Sequence, residues 1–408
     1  MAHPTSLNRR VFVQALAAAS IERTLHARHK PSTRIVLRSS WQTVNIGDIA
    51  HTPGMLALLE KHRPDAEVTL WPSSVGGGVE EILRNRFPRL KIAKTKAEQS
   101  AALAECDFFL HGSGPMLVGR EALKLAANAG KAYGIGGITL SDEDIKTHKE
   151  LLAGAQFVFL RDTDSLRAVQ ASGITGPQID FGPDATFAID LRDDVASAAL
   201  LKEHRLEPGK FLCAIPRLRW TPYWEIHPES TPPNPERIQV NQEFAERDHA
   251  KLREGITAWV RETKMRVLLT PEMTYQVPLL RTLLFDKLPE DVKPHVAFLD
   301  RYWLTAEACS VYSQAAAIVS FEQHSPIMGI AAGVPSILLR QPTDTRKGRM
   351  WYDLGLNDWV FEIDQTTGAP IAARLLEIAG DLTAARATAA KARAYAHERM
   401  AAMIAAIP

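Results

Sequence analysis

Cysteine is scarce. Cys106, Cys213 and Cys309 are the only three in 408 residues, and no two form a CxxC pair. That argues against a disulfide scaffold or a zinc ribbon and predicts three buried thiols. A charge excess is also missing. Lys plus Arg number 48 and Asp plus Glu 47, for a formal net charge of +1. A nucleic-acid binder, with its basic excess, is therefore not expected; a small basic pocket is compatible. No stretch approaches the ~20 apolar residues of a membrane span. Neither a full G-x-G-x-x-G fingerprint with its trailing acidic residue nor a Walker A sequence occurs, which disfavours a dinucleotide or P-loop site. No repeat with a period of ~20–50 residues is visible, so a solenoid or propeller is not indicated.

What is present is an ordinary globular composition, 46% apolar and 23% charged, which excludes wholesale disorder. At about 150 residues per domain the length predicts two domains. Residues 1–33 stand apart from them. Asn8-Arg9-Arg10-Val11-Phe12-Val13, followed by a short and mostly apolar 14–20, resembles a twin-arginine export signal. No clear A-x-A cleavage site follows, and an amphipathic helix ending near Arg28 is the alternative. A cytoplasmic location is favoured over export.

From residue 34 the chain alternates between short apolar strands and helical patterns, twice. Strands are predicted at 34–39, 67–71, 107–110, 131–138, 157–160 and 178–181, then at 210–216, 266–270, 296–299, 316–320, 335–339 and 359–363. Alternation of this kind predicts an α/β fold: two Rossmann-like, doubly wound parallel-sheet domains over 34–195 and 208–365. The charged, Ala-rich 190–209 reads as the connection between them. Residues 220–235, with five prolines and two tryptophans, read as a long loop. Residues 369–404 read as one long helix, making 366–408 a C-terminal helical segment.

Ligands of open α/β sheets bind beyond the carboxyl ends of the strands. Five polar or Gly-rich clusters fall at such ends in the first half: Asn45-Ile46-Gly47-Asp48, His111-Gly112-Ser113-Gly114, Gly134-Ile135-Gly136-Gly137, Arg161-Asp162-Thr163-Asp164-Ser165 and Gly182-Pro183-Asp184. Glycine there lets a backbone approach a ligand and leaves N–H groups free at a helix N-terminus. The structural reading of Arg161-Asp162 is a pair in which Asp162 or Asp164 caps the next helix.

In order and spacing these clusters resemble the polysaccharide pyruvyl transferase family. The N-x-G-D, the G-S-G after an apolar strand, the G-I-G turn, the R-D…S and the P-D before the apolar 185–189 all fit. The second half adds Ser320-Phe321-Glu322-Gln323-His324 and then Gly333-Val334-Pro335, where the family has S-x-R-x-H, a helix and G-x-P. The resemblance covers about residues 34–365. It implies two Rossmann-like domains facing a cleft, as in GT-B glycosyltransferases. It also implies transfer of pyruvate from phosphoenolpyruvate to two sugar hydroxyls, closing a cyclic ketal on a glycan or cell-envelope sugar. The partners expected are thus a sugar or polysaccharide acceptor and phosphoenolpyruvate or another small donor; no resident cofactor is expected.

Such chemistry needs a proton delivered to the donor's methylene carbon, a base for the sugar hydroxyl, and cations for phosphate and carboxylate. His324, at a strand end before a helix, suits the proton work, with Glu322 beside it as the second catalytic candidate. Arg217 and Arg219, after the strand at 210–216, and Arg340, Lys347 and Arg349, after that at 335–339, are the candidate donor clamp. Asn45, Asp48, His111, Ser113, Gly114, Arg161, Asp184 and Ser320 are the candidate substrate-binding residues. Glu322 departs from the family pattern by standing where the family has arginine. A carboxylate near a phosphate costs roughly a few kcal/mol, so phosphoenolpyruvate is expected to bind weakly unless the five cations converge on it. For a Glu322/His324 metal pair no third ligand can be named, so no metal is expected. A GT-B-like enzyme with a nucleotide-sugar donor and a non-catalytic glycan-binding protein are the alternative readings.

Overall fold

The computed structural model describes residues 32–408, so the twin-arginine-like motif at 8–13 lies outside the described residues. Arg34–Pro408 forms one compact unit built on two parallel sheets. The first holds β1 (Arg34–Ser39), β2 (Glu67–Pro72), β3 (Lys91–Ile92), β4 (Phe108–His111), β5 (Ala132–Ile138), β6 (Phe157–Leu160) and β7 (Gln178–Phe181) in the order β3-β2-β1-β4-β5-β6-β7. The second holds β8 (Phe211–Ile215), β9 (Arg266–Leu269), β10 (Val296–Phe298), β11 (Ala317–Ser320), β12 (Ser336–Arg340) and β13 (Val360–Glu362) in the order β10-β9-β8-β11-β12-β13. Every pairing in both sheets is parallel.

The central strands explain why. β4 (FFLH), β6 (FVFL), β8 (FLCAI) and β11 (AIVS) are buried at every position. Unbroken apolar runs suit parallel strands covered by helices on both faces. Each buried Phe in them stabilises the fold by roughly 1.5–3 kcal/mol. All three cysteines are free and buried. In each sheet strand addition reverses beside the first strand, between β1 and β4 and between β8 and β11. Those reversals are the topological switch points at which open α/β sheets bind ligands.

The structure adds elements to this outline. Residues 190–209, read as the connection, contain a helix, Asp194–Glu203, whose N-terminus is capped by Asp193 through Ala196 N–H. Lys96–Glu105 is a further unexpected helix, begun by a Thr95/Glu98 capping box. The 220–235 loop contains a helical turn, Tyr223–Ile226. The single terminal helix is two, Gly368–Gly380 and Leu382–Ala405, with Asp381 capping the second through Ala384 N–H. This last helix returns to the first sheet, where Arg399 pairs with Asp180 at 2.6 Å and Met403 fills the space left by Gly136.

Candidate functional site

A cleft of about 630 Å³ lies where the carboxyl ends of the two sheets face each other. Asn45, Asp48, Arg217, Arg219, Glu322, His324 and Lys347 line it. The other candidates do not. His111, Ser113, Gly114, Arg161, Asp184 and Ser320 lie buried beneath or behind the lining, and Arg340 and Arg349 lie to the side.

The turn after β1 brings the halves together. Asn45 Oδ1 accepts from Gly47 N–H (2.7 Å) and Asp48 N–H (3.3 Å), capping the helix Ile46–His62. Ile46 N–H then donates to Glu272 O (3.0 Å), and Thr305 Oγ1 donates to Ile46 O (2.8 Å). His324 packs on this turn so closely that a Cβ on Gly47 would lie 2.1 Å from its Nδ1. The glycine of N-x-G-D is therefore the seat of His324, a close approach that no side chain would allow.

Beneath His324 lies a buried polar cluster. Asp184 takes a 2.6 Å contact from Arg161, 3.1 Å from Ser113 Oγ and 2.9 Å from His51 Nδ1. Burial alone would raise its carboxyl. His51 and then Arg161 outweigh that and hold it well below the usual range. Arg161 also donates to Thr139 (2.9 Å), and Asp162 caps the helix Thr163–Ala171. This cluster braces the floor. His111 accepts from Gly119 N–H at 3.0 Å, and burial followed by the Arg38 charge pushes it down to about 3. A side chain on Gly114 would approach Trp41 Nε1 to 2.7 Å, so this glycine seats an indole rather than a ligand.

The second half supplies the titratable groups. Glu272, buried and just past β9, accepts from Ser325 N–H and Oγ (2.7 Å each) on one oxygen and pairs with His324 Nδ1 (3.0 Å) through the other. Nε2 has no hydrogen-bond partner and lies 3.8 Å from Asp184 Oδ2, and burial raises the Glu272 carboxyl. Burial, then the Lys347 and His51 charges, holds His324 well below its ordinary value, as a neutral imidazole. Glu322 Oε1 accepts from Gln276 Nε2 at 2.7 Å and lies 3.5 Å from Arg217 Nε, while Ser320 Oγ accepts from Glu322 N–H (2.9 Å). Burial raises the Glu322 carboxyl despite Arg217. Acid and base are thus displaced in opposite directions, the pattern that separates a proton donor from a proton acceptor.

Of the five expected cations, two converge. Arg217 binds Asp344 and approaches Glu322. Lys347 makes no hydrogen bond or ion pair among the described residues, and burial, then Arg161 and Arg217, lowers it. Arg219 spends its fork on Asp248 (2.8 Å) and Asp364 (2.5 Å) and stacks on Phe244. Arg340 pairs with Glu362 (2.7 Å) and Arg349 with Asp353 (3.4 Å). His51, Asp184 and His324 bring ligand atoms within 4.8 Å of one another, close enough for a metal ion; the Arg161 charge on Asp184 opposes a cation there. Glu272, Gln276 and His51 carried no motif signal. Glu272 does follow a strand end, the criterion that found the others.

Residues 45–341 match the family model described as polysaccharide pyruvyl transferase. No curated protein matches the sequence. Among solved structures, the S. aureus MnaA–UDP co-structure is similar at 12% identity and a TM-score of 0.58, covering 90% of this chain and 94% of that one. A putative UDP-N-acetylglucosamine 2-epimerase from Listeria monocytogenes is similar at 13% identity and 0.56, covering 91% of each chain. Anabaena Alr3699/HepE in complex with UDP and glucose is similar at 13% and 0.52, covering 91% and 97%. These likenesses show the fold: two Rossmann-like domains of the GT-B kind.

Proposed function

Because the chain belongs to the polysaccharide pyruvyl transferase family, we propose that it is a glycan-modifying transferase that carries an enolpyruvyl-type donor to hydroxyls of a cell-envelope sugar. The observation that carries this reading is the pair of side chains opening on one cleft, His324 clamped by Glu272 and Glu322 clamped by Gln276. In this reading of the pyruvyl transfer, Glu322 gives its proton to the donor's methylene carbon. The adjacent carbon becomes electrophilic, a sugar hydroxyl attacks it, and His324 takes the hydroxyl proton. Phosphate leaves, taking the proton held by His324, and a second hydroxyl closes the ketal as its own proton passes to the Glu322 carboxylate, which restores the acid. Arg217 and Lys347 hold the donor's anionic groups. Glu322, the departure from the family arginine, then acts as the acid, and in its protonated form it does not oppose the donor.

A ligand that binds the folded state raises its melting temperature by mass action, so a thermal-shift comparison tests the donor. Phosphoenolpyruvate is expected to stabilise the protein, more at pH 6 than at pH 9. Stabilisation by nucleotide sugars in its place would refute the reading.

A further inference from the structure

One part of the cleft, its aromatic end, is lined by rings with Arg219 and Arg237 among them. Trp41, Trp220, Tyr223 and His227 line it, with Met116 at the rim. These rings are held in place. Trp41, only 8% exposed, donates from Nε1 to Ser113 O (2.8 Å) and is covered by His111, ring centres 5.1 Å apart, and by Arg38 at 5.0 Å, so it backs this wall rather than offering it a face. Trp220 is fixed through both of its backbone polar groups by Asn241 (2.8 Å each), and Arg237 lies 4.4 Å from its ring. Tyr223 stacks on His227 with the rings 8° from parallel and remains 36% exposed. Its hydroxyl lies 3.2 Å from Gln42 Nε2, which also donates to Asp48. The aromatic end is therefore continuous with the acid–base end.

We propose that this aromatic end is the acceptor subsite, and that it takes the C–H face of a pyranose ring. The assignment rests on the transferase reading above. Rings locked before binding lose little entropy on contact, and their electron-rich faces attract the weakly positive C–H groups of a sugar. The polar groups at the boundary are the Asp48 carboxylate and the Gln42 amide, which match hydroxyls.

Saturation-transfer NMR on the full chain tests this, with methyl β-D-pyranosides of the gluco, galacto, manno and N-acetylgluco series as probes and UDP as a separate arm. Saturation confined to the axial protons of one ring face is expected. Affinity should fall about tenfold in Trp220→Ala and in Tyr223→Ala, hold in Tyr223→Phe, which keeps the ring, and hold in Arg349→Ala. His324→Ala should still bind the sugar, so failure of the proposed chemistry and failure of the subsite give different results. No pyranoside signal, a signal indifferent to Trp220 and Tyr223, or Tyr223-dependent saturation of the uracil protons of UDP would overturn the assignment.

Discussion

Replacing Glu322 with Gln isolates the charge that separates this cleft from the family pattern. Arg217 stands 3.5 Å from Glu322 Oε1, so an anion on the far side of that guanidinium would lie about 6 Å from the carboxylate. Two unit charges at ~6 Å and an effective dielectric of ~20 repel by roughly 3 kcal/mol, about two decades in Kd. Burial raises the Glu322 carboxyl. Below that raised value it is neutral and does not repel; above it, the full repulsion appears. Phosphoenolpyruvate affinity of the natural protein should therefore fall as pH rises from about 6 to 9, by up to ~100-fold. Glu322→Gln should stay near the tight limit throughout, its remaining pH dependence reporting the titration of the donor phosphate itself. The assay is calorimetric titration at matched ionic strength. The variant should nonetheless turn over ~10²–10⁴-fold more slowly, because an amide supplies no proton. Parallel pH curves of equal affinity would refute the reasoning. An arginine at 322 is a poorer probe, since it would face Arg217.

The other predictions concern positioning and packing. His324→Ala should reduce phosphate release from donor plus acceptor by ~10²–10⁴ with the fold intact by circular dichroism; unchanged turnover would remove His324 from the mechanism. Glu272→Gln should lower kcat with little change in KM and alter the pH–rate profile, as expected when a histidine loses the carboxylate that orients it; an unaltered profile would reduce Glu272 to a packing role. Asp184→Asn leaves the buried Arg161 without its counter-charge and should destabilise the chain by about 3–5 kcal/mol in urea denaturation. Gly47→Ala sets a Cβ against the His324 ring and should cost about 1–3 kcal/mol in the same measurement, with turnover lost alongside; an alanine variant of natural stability would show that the turn yields.

The sequence by itself determined what local chemistry determines. Unbroken apolar runs such as Phe157–Leu160 and Phe211–Ile215 read as buried strands, which they are, and polar turns after them lie at the carboxyl ends of the two sheets. His324 and Glu322 were legible from that rule and from the family-like element around them. The unexpected helix Lys96–Glu105 had its signal too, in the Thr95/Glu98 capping box. Only the tertiary structure decided which strand ends face each other across the switch points. It separated Arg217 and Lys347, on the cleft, from Arg340 and Arg349, each paired elsewhere. It also paired Glu272 with a histidine 52 positions away and brought Trp41 from the first half and Tyr223 from the second to the lining of one cleft. Periodicity, caps and turns act over a few residues, so they appear in sequence. The partner of a buried charge is chosen by how two sheets pack, and no window of sequence contains that choice.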